Sequence, residues 1–178
     1  DQLATQQQYS DVASYAQAHL LVANRNNAKA IETAQQLTEQ SPLYVEALYL
    51  QGRALLAEEQ HQASIDILRS YLQLVPNNLQ ARLMMTQSLV QTAQHDEADT
   101  ELKLLLKAFP NQPLVNYLKA MLEYERKDYV KAKEYAETAI NNGMRNSSVR
   151  IIAALSALNQ GLNSQSLNHL DAIKDQLH

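Results

Sequence analysis

The chain has 178 residues, of which 46% are hydrophobic, with 3 glycines, 4 prolines and no cysteine. Ala, Leu, Gln, Glu and Lys dominate, and no Asn-Gly or Asp-Gly turn joins two alternating runs, so an all-α protein is expected. The net charge of -4, without a cluster of Lys or Arg, argues against a nucleic-acid partner, and the lack of cysteine excludes disulfides and zinc–thiolate sites.

The first ten residues, 1–10, are rich in Gln and precede the first regular pattern. They either lengthen the first helix or are the remnant of an upstream repeat. The chain starts with Asp1 rather than Met, so we expect that a preceding segment has been removed, such as a signal peptide, a lipid anchor or further repeats. No run of 18 apolar residues occurs, and a direct membrane span is therefore not expected.

From residue 11 onward the chain divides into blocks of equal length. Pro42, Pro76 and Pro110 recur at one constant spacing, and Gly143 stands close to where the next proline is due. Proline disfavours helix in the residue before it and glycine can cap a helix, so each block is predicted to end a helix at this point. With the prolines at block position 32, the blocks are 11–44, 45–78, 79–112, 113–146 and an incomplete fifth, 147–178.

Small side chains recur at two positions in every block. Two helices that cross closely need a small residue at the crossing, because a larger one would force them apart. The pattern therefore predicts one pair of packed helices per block, each helix roughly 12–14 residues long. The ten small residues are Ala18, Gly52, Thr86, Ala120 and Ala154 at position 8, and Ala30, Ser64, Ala98, Ala132 and Ser166 at position 20.

This arrangement resembles the tetratricopeptide-repeat (TPR) family over residues 11–178. The resemblance implies a single domain with an all-α fold, a right-handed superhelix or α-solenoid of about five helix-turn-helix repeats. It also implies that the first helix of each repeat lines a concave groove. Position 11, where the family has Tyr, holds Leu21, Leu55 and Leu89 in the first three blocks, but Glu123 in the fourth.

The expected groove is aromatic and apolar. Tyr15, Tyr49 and Tyr117 share block position 5, and tyrosine is enriched in interfaces because it offers a large area at a low ordering cost. The alternative is that these rings pack against neighbouring helices as part of the core. The predicted partner-binding residues are Tyr15, His19, Tyr49, Arg53, Leu83, Gln87, Tyr117, Met121 and Tyr124.

The titratable residues do not form a catalytic or metal-binding pattern. His61 and His95 both fall at block position 17, in successive blocks, which predicts a packing role, and no histidine has another at i+3 or i+4. The paired acids fall at turns and polar faces, where solvation is the usual role. We expect no metal site, no cofactor and no enzymatic activity.

A narrower resemblance concerns the fourth block. Its stretches Pro113–Ala120 and Tyr129–Ala132 look like repeats of bacterial TPR lipoproteins linked to exosortase (PEP-CTERM) and exopolysaccharide systems. This resemblance implies a location in the bacterial periplasm or anchored to the cell envelope. The expected function is a scaffold that binds a peptide or protein segment in its groove. The alternative is a structural spacer or self-association module that forms a homodimer through the array ends.

Overall fold

The computed structural model describes residues 2–174, with side chains from Thr5 onward. Within this range the chain is entirely helical apart from turns, and it contains no strand. Residues 175–178 of the fifth block lie outside the described part. The helices are α1 (Gln2–Ala23), α2 (Asn27–Gln40), α3 (Val45–Ala57), α4 (His61–Leu74), α5 (Leu79–Gln91), α6 (His95–Ala108), α7 (Pro113–Glu125), α8 (Tyr129–Asn141), α9 (Ser147–Asn159) and α10 (Asn163–Lys174).

The helix ends follow the prolines. Helices α2, α4 and α6 each end two residues before Pro42, Pro76 or Pro110, and α7 begins at Pro113. In the fourth block Gly143 adopts φ 104° and continues the turn after α8, as its position predicts. Helix α1 runs without a break from Gln2 to Ala23, and both interpretations of the first ten residues stay predictions.

The turn inside each hairpin repeats the same backbone geometry. After α3, the N–H of Glu59 donates to the carbonyl of Leu56 at 3.1 Å, and the N–H of Gln60 donates to Leu55 at 2.9 Å, which is the Schellman pattern. This turn needs a residue in the left-handed region, which non-glycine residues adopt at a cost of roughly 1–2 kcal/mol. The residue at block position 15 has positive φ in all five blocks: Arg25 (59°), Glu59 (57°), Ala93 (55°), Lys127 (64°) and Gly161 (76°).

The chain forms two compact units, Asp1–Thr92 and Ala93–His178. In the first unit α1 pairs with α2 and α3 with α4, while α2 packs on α3 and α4 on α5. In the second unit α6 packs on α7, α7 pairs with α8, α8 packs on α9 and α9 pairs with α10. The single domain expected over residues 11–178 stays a prediction.

The ten small residues at block positions 8 and 20 are all buried. In the second block the hydroxyl of Ser64 on α4 donates to the carbonyl of Gly52 on α3 at 2.9 Å, so the two backbones approach closely at this crossing. A Cβ atom on Gly52 would lie 2.6 Å from both Cγ and Cδ2 of Leu68, which is completely buried. The crossing therefore explains why small residues recur with the period of the repeat.

Candidate functional site

Four tyrosines come together in the first unit. Tyr15 on α1 lies 5.5 Å, between ring centroids, from Tyr44, the residue before α3. Tyr49 on α3 lies 5.5 Å from Tyr71 on α4. Tyr71 is 4% exposed, and its hydroxyl accepts a hydrogen bond from the Asn78 amide at 2.8 Å. Tilted ring pairs at this distance are favourable and fix the orientation of the side chains.

Tyr15, Tyr44 and Tyr49 are half-buried, and we call these three residues the tyrosine face. Tyr15 and Tyr49 also pack against a buried cluster of Ala18, Ala34 and Leu50. The packing role considered for these rings is therefore present, and the rest of each ring is open to solvent, so the binding role stays a prediction. The tyrosine face is consequently rigid as well as accessible, which lowers the ordering cost of binding.

Burial dominates the electrostatics of the tyrosine face. Burial raises the pKa of Tyr15, and the neighbouring Tyr44 and Glu46 raise it further. Burial also raises the pKa of Tyr44, with Glu46 and Asp11 adding to the shift. The pKa of Tyr49 is likewise raised by burial, and Arg53 partly opposes this. The hydroxyls thus stay protonated at neutral pH and can donate hydrogen bonds to a partner.

The other residues predicted in the first unit differ in exposure. His19 and Arg53 are exposed, and the His19 ring lies 6.3 Å from that of Tyr15. Gln87 is half-buried. Leu83 is only 7% exposed, which corrects the expectation that its side chain lines an open surface. Leu83 ends within the core, whereas the longer Tyr15 and Tyr49 at the same block position remain partly exposed.

In the second unit, Tyr117, Met121 and Tyr124 lie on α7 and are half-buried. Tyr117 packs against the buried alanines and valine of α7, α8 and α9. The Tyr124 ring lies 5.5 Å from that of Tyr129 at the start of α8, in an edge arrangement. Tyr117 thus shows the same combination of core packing and partial exposure as the tyrosine face, and Met121 and Tyr124 share its partial exposure.

The second unit also contains a buried ion cluster that the sequence interpretation missed. The Lys119 ammonium on α7 contacts Asp99 Oδ1 on α6 at 2.6 Å and also contacts Glu123 Oε1. The three side chains are only 7–13% exposed. Lys103 contacts the second oxygen of Asp99 at 2.9 Å, and Arg126 contacts its first oxygen at 3.4 Å.

The ion cluster stays charged despite its burial. Burial alone would raise the pKa of Asp99, but hydrogen bonds from Lys119 and Lys103 outweigh it and hold that pKa well below its ordinary value. Burial would lower the pKa of Lys119, yet hydrogen bonds to Asp99 and Glu123 raise it overall. A cleft of about 340 Å³ opens beside these residues. Because each of these cations contacts a carboxylate, the cluster joins α6 to α7 as a structural ion-pair network.

The sequence did contain a signal for this cluster. Lys119 and Glu123 occupy block positions 7 and 11, which face the core, and they lie one helical turn apart on the same helix. The departure at Glu123 was visible, but its partner Asp99 lies on another helix, in the preceding block. Only the packing of α6 on α7 brings the three charges together.

The histidines take separate positions. His95 at the start of α6 lies 2.5 Å from Glu125, from Nε2 to Oε2, so this residue makes a polar contact where a packing role was expected. His61 is half-buried at the start of α4. Between residues 2 and 174, no three His, Asp or Glu side chains lie close enough to hold a metal ion. In the same range, no helix has both the length and the apolar character needed to cross a membrane.

Comparisons with known proteins bear on the fold. Two models of the tetratricopeptide repeat match residues 15–78 and 55–122. MamA of Desulfovibrio magneticus RS-1 is similar in structure, with a TM-score of 0.82 and 15% identity over 93% of each chain. A second MamA structure, MSR-1, matches with a TM-score of 0.77 and 16% identity over 93% of this chain and 95% of that one. No curated protein matches significantly in sequence.

These comparisons agree with the period read from the sequence. The two family matches overlap and together span residues 15–122, more than half of the chain. The structural matches confirm the predicted all-α TPR fold, and at this identity they concern the fold alone. The constant spacing of the prolines, the buried small residues at block positions 8 and 20 and the family matches lead to one conclusion: the chain belongs to the tetratricopeptide-repeat family.

Proposed function

We propose that the protein is a non-enzymatic interaction scaffold that holds a peptide or protein segment in the groove lined by the first helix of each repeat. The TPR fold supports a role in protein–protein interaction, because stacked helix pairs create an extended surface. The tyrosine face is the observation that carries the proposal. Its rings are held in place by the core and by each other, as the rigid aromatic anchors of an interface are.

The proposal is tested by replacing Tyr15 and Tyr49 with Leu. Leucine preserves apolar packing against Ala18, Ala34 and Leu50 better than alanine does, while it removes the ring and the hydroxyl. The two proteins are used to capture partners from a lysate of the source organism, and the bound proteins are quantified by mass spectrometry. We expect the double variant to lose partners that the unchanged chain retains.

Tyr9 supplies a matched control. It is 73% exposed and lies on the same helix as Tyr15, but six residues earlier and therefore about 120° away around the helix axis. Replacing Tyr9 with Leu changes the same atoms on a different face and should leave capture unchanged. If the double variant is folded by circular dichroism and captures the same partners as the control, the tyrosine face is not a binding surface.

A second candidate function rests on exposed apolar residues of the last two helices, α9 and α10. A contiguous exposed apolar face is typical of a surface that another molecule covers. We therefore retain self-association, or a structural spacer, as the alternative. Sedimentation velocity tests it, since a dimer that dissociates on replacing Leu158 and Leu167 with Gln would favour this function over the first. The exposed apolar residues on α9 and α10 are Ile151, Leu155, Leu158, Leu167 and Leu170.

The location in the bacterial cell envelope also stays a proposal. It rests only on the resemblance of Pro113–Ala120 and Tyr129–Ala132 to envelope lipoproteins. Fractionation of the source cells, followed by detection of the protein with an antibody, tests it. Recovery in the cytoplasmic fraction alone would contradict an envelope role without affecting the proposed binding function.

A further inference from the structure

The charges around the tyrosine face are arranged in a fixed order. On α3, Glu46, Tyr49 and Arg53 are spaced by three and four residues, so they lie along one side of the helix. Seven residues of helix separate Glu46 from Arg53 by about 10.5 Å. The side of α3 therefore presents an acid, an aromatic ring and a base, in that order.

Helix α1 repeats this order. Asp11, Tyr15 and His19 are four residues apart and share one side of α1. The Ser41 hydroxyl, just before α3, donates to Asp11 at 2.7 Å, so the segment leading into α3 lies beside the acid of α1. Farther along, Val22 of α1 and Ala54 of α3 belong to one buried cluster. The two helices consequently run side by side in the same direction.

This alignment gives the tyrosine face two edges of opposite charge. Asp11 and Glu46 lie at one edge, since Ser41 contacts Asp11 just before α3 and Glu46 lies in the first turn of α3. Both carboxylates add to the rise in the pKa of Tyr44 that burial causes. His19 and Arg53 lie at the other edge, where the charge of Arg53 partly opposes the rise in the pKa of Tyr49 that burial causes. An aromatic surface beside carboxylates suits a cationic side chain, since both the ring faces and the acids attract it.

The charged residues of α3 beside the tyrosine face have no ion-pair partner within the described structure. Glu46 and Arg53 are exposed, and between residues 2 and 174 neither forms an ion pair. Glu46 lies in the first turn of α3, where a carboxylate complements the helix dipole. Asp11 lies in the middle of α1, away from the helix ends, and its carboxylate accepts neutral hydrogen bonds from Gln7 at 2.9 Å and Ser41 at 2.7 Å, which leave its charge uncompensated.

We infer that the tyrosine face binds a segment of a partner protein that carries a Lys or Arg and an Asp or Glu on either side of an apolar residue. The cation contacts Asp11 and Glu46, the apolar residue contacts the rings, and the acid contacts His19 and Arg53. The inference rests on the proposed function and specifies its partner. Charges about 10 Å apart correspond to residues i and i+3 of an extended segment or i and i+7 of a helix.

The test uses a random dodecapeptide library displayed on phage and selected on the full chain. Parallel selections use the Tyr15→Leu/Tyr49→Leu variant and a charge-swapped variant, Glu46→Lys/Arg53→Glu. We expect enriched peptides to carry one basic and one acidic residue at the stated spacings. The synthetic consensus peptide should bind the charge-swapped variant about tenfold more weakly, because two attractive contacts of modest strength become repulsive.

The control reverses the same charge types elsewhere. Lys29→Glu/Glu32→Lys changes two exposed residues of α2 and should leave the affinity for the consensus peptide unchanged. Circular dichroism confirms that each variant is folded. This inference is overturned if the enriched peptides require the tyrosines but show no charge pattern. It is also overturned if the consensus peptide binds the charge-swapped variant as tightly as the unchanged chain. Either result leaves the proposed function standing. If the unchanged chain and the tyrosine variant enrich the same peptides, the proposed function itself is contradicted.

Discussion

The crossing of α3 and α4 at Gly52 allows a sharp test of the packing. Replacing Gly52 with Ala adds a methyl group 2.6 Å from Cγ and Cδ2 of Leu68, whereas carbon atoms in contact prefer about 3.5–4.0 Å. Leu68 is fully buried, and close packing around a buried side chain restricts its movement. Overpacking of this kind costs about 1–3 kcal/mol, and alanine recovers about 1 kcal/mol through its higher helix propensity. The net expectation is a loss of up to about 2 kcal/mol.

A double-mutant cycle isolates the clash. Leu68→Ala removes the three atoms nearest to the new methyl group, and by itself it should cost about 2–5 kcal/mol. In that background Gly52→Ala should become stabilising by roughly 0.5–1 kcal/mol, because only the propensity term is left. Urea unfolding followed by far-ultraviolet circular dichroism measures all four proteins. The reasoning is refuted if Gly52→Ala has the same sign in both backgrounds.

Three further predictions concern stability, each measured by urea unfolding. Glu59→Gly should stabilise the fold by up to about 1 kcal/mol, because Glu59 has a φ of 57°, in the left-handed region that glycine adopts without strain. Glu58→Gly is the control and should not stabilise the fold, because Glu58 has a φ of -91°. Equal effects of the two substitutions would contradict the predicted strain at Glu59. Asp99→Asn should destabilise by about 3 kcal/mol at neutral pH. Since the pKa of Asp99 is lowered on folding, its contribution is complete above about pH 4 and declines as pH falls further, so the acid dependence should shrink in the variant. Ala132→Leu should cost about 1–3 kcal/mol, since Ala132 is fully buried, and an unchanged midpoint would contradict close crossing there.

The fold could be predicted because its determinants repeat. Each proline indicated the end of a helix, and each small residue indicated a helix crossing. A block that matches the pattern poorly at one position could therefore be assigned from the other blocks. Even the left-handed turn recurs with the period, although four of its five residues are not glycine and local chemistry gives little sign of it. Backbone geometry is set there by the packing of the two helices.

The candidate surface was only partly predictable. The shared position of Tyr15 and Tyr49 indicated a common face, but the contribution of Tyr44 was invisible because it precedes α3 at a different block position. Burial of Leu83 was also missed, since block position alone does not distinguish a side chain that ends in the core from one that reaches solvent. Contacts between helices, and not local pattern, decide these cases.

The buried ion cluster has a consequence for assembly of the repeats during folding. Similar repeats can stack on the wrong neighbour, a characteristic failure of repeat proteins. Lys119 meets an acid from another helix only when α7 packs on α6, because block position 21 holds Asp99 there but Ile31, Ile65, Lys133 and Leu167 in the other blocks. In any other stacking Lys119 would keep only Glu123 of its own helix, and Asp99 would lose its buried partner, which is unfavourable. The cluster thus favours α6 as the neighbour of α7 over helices of similar sequence pattern.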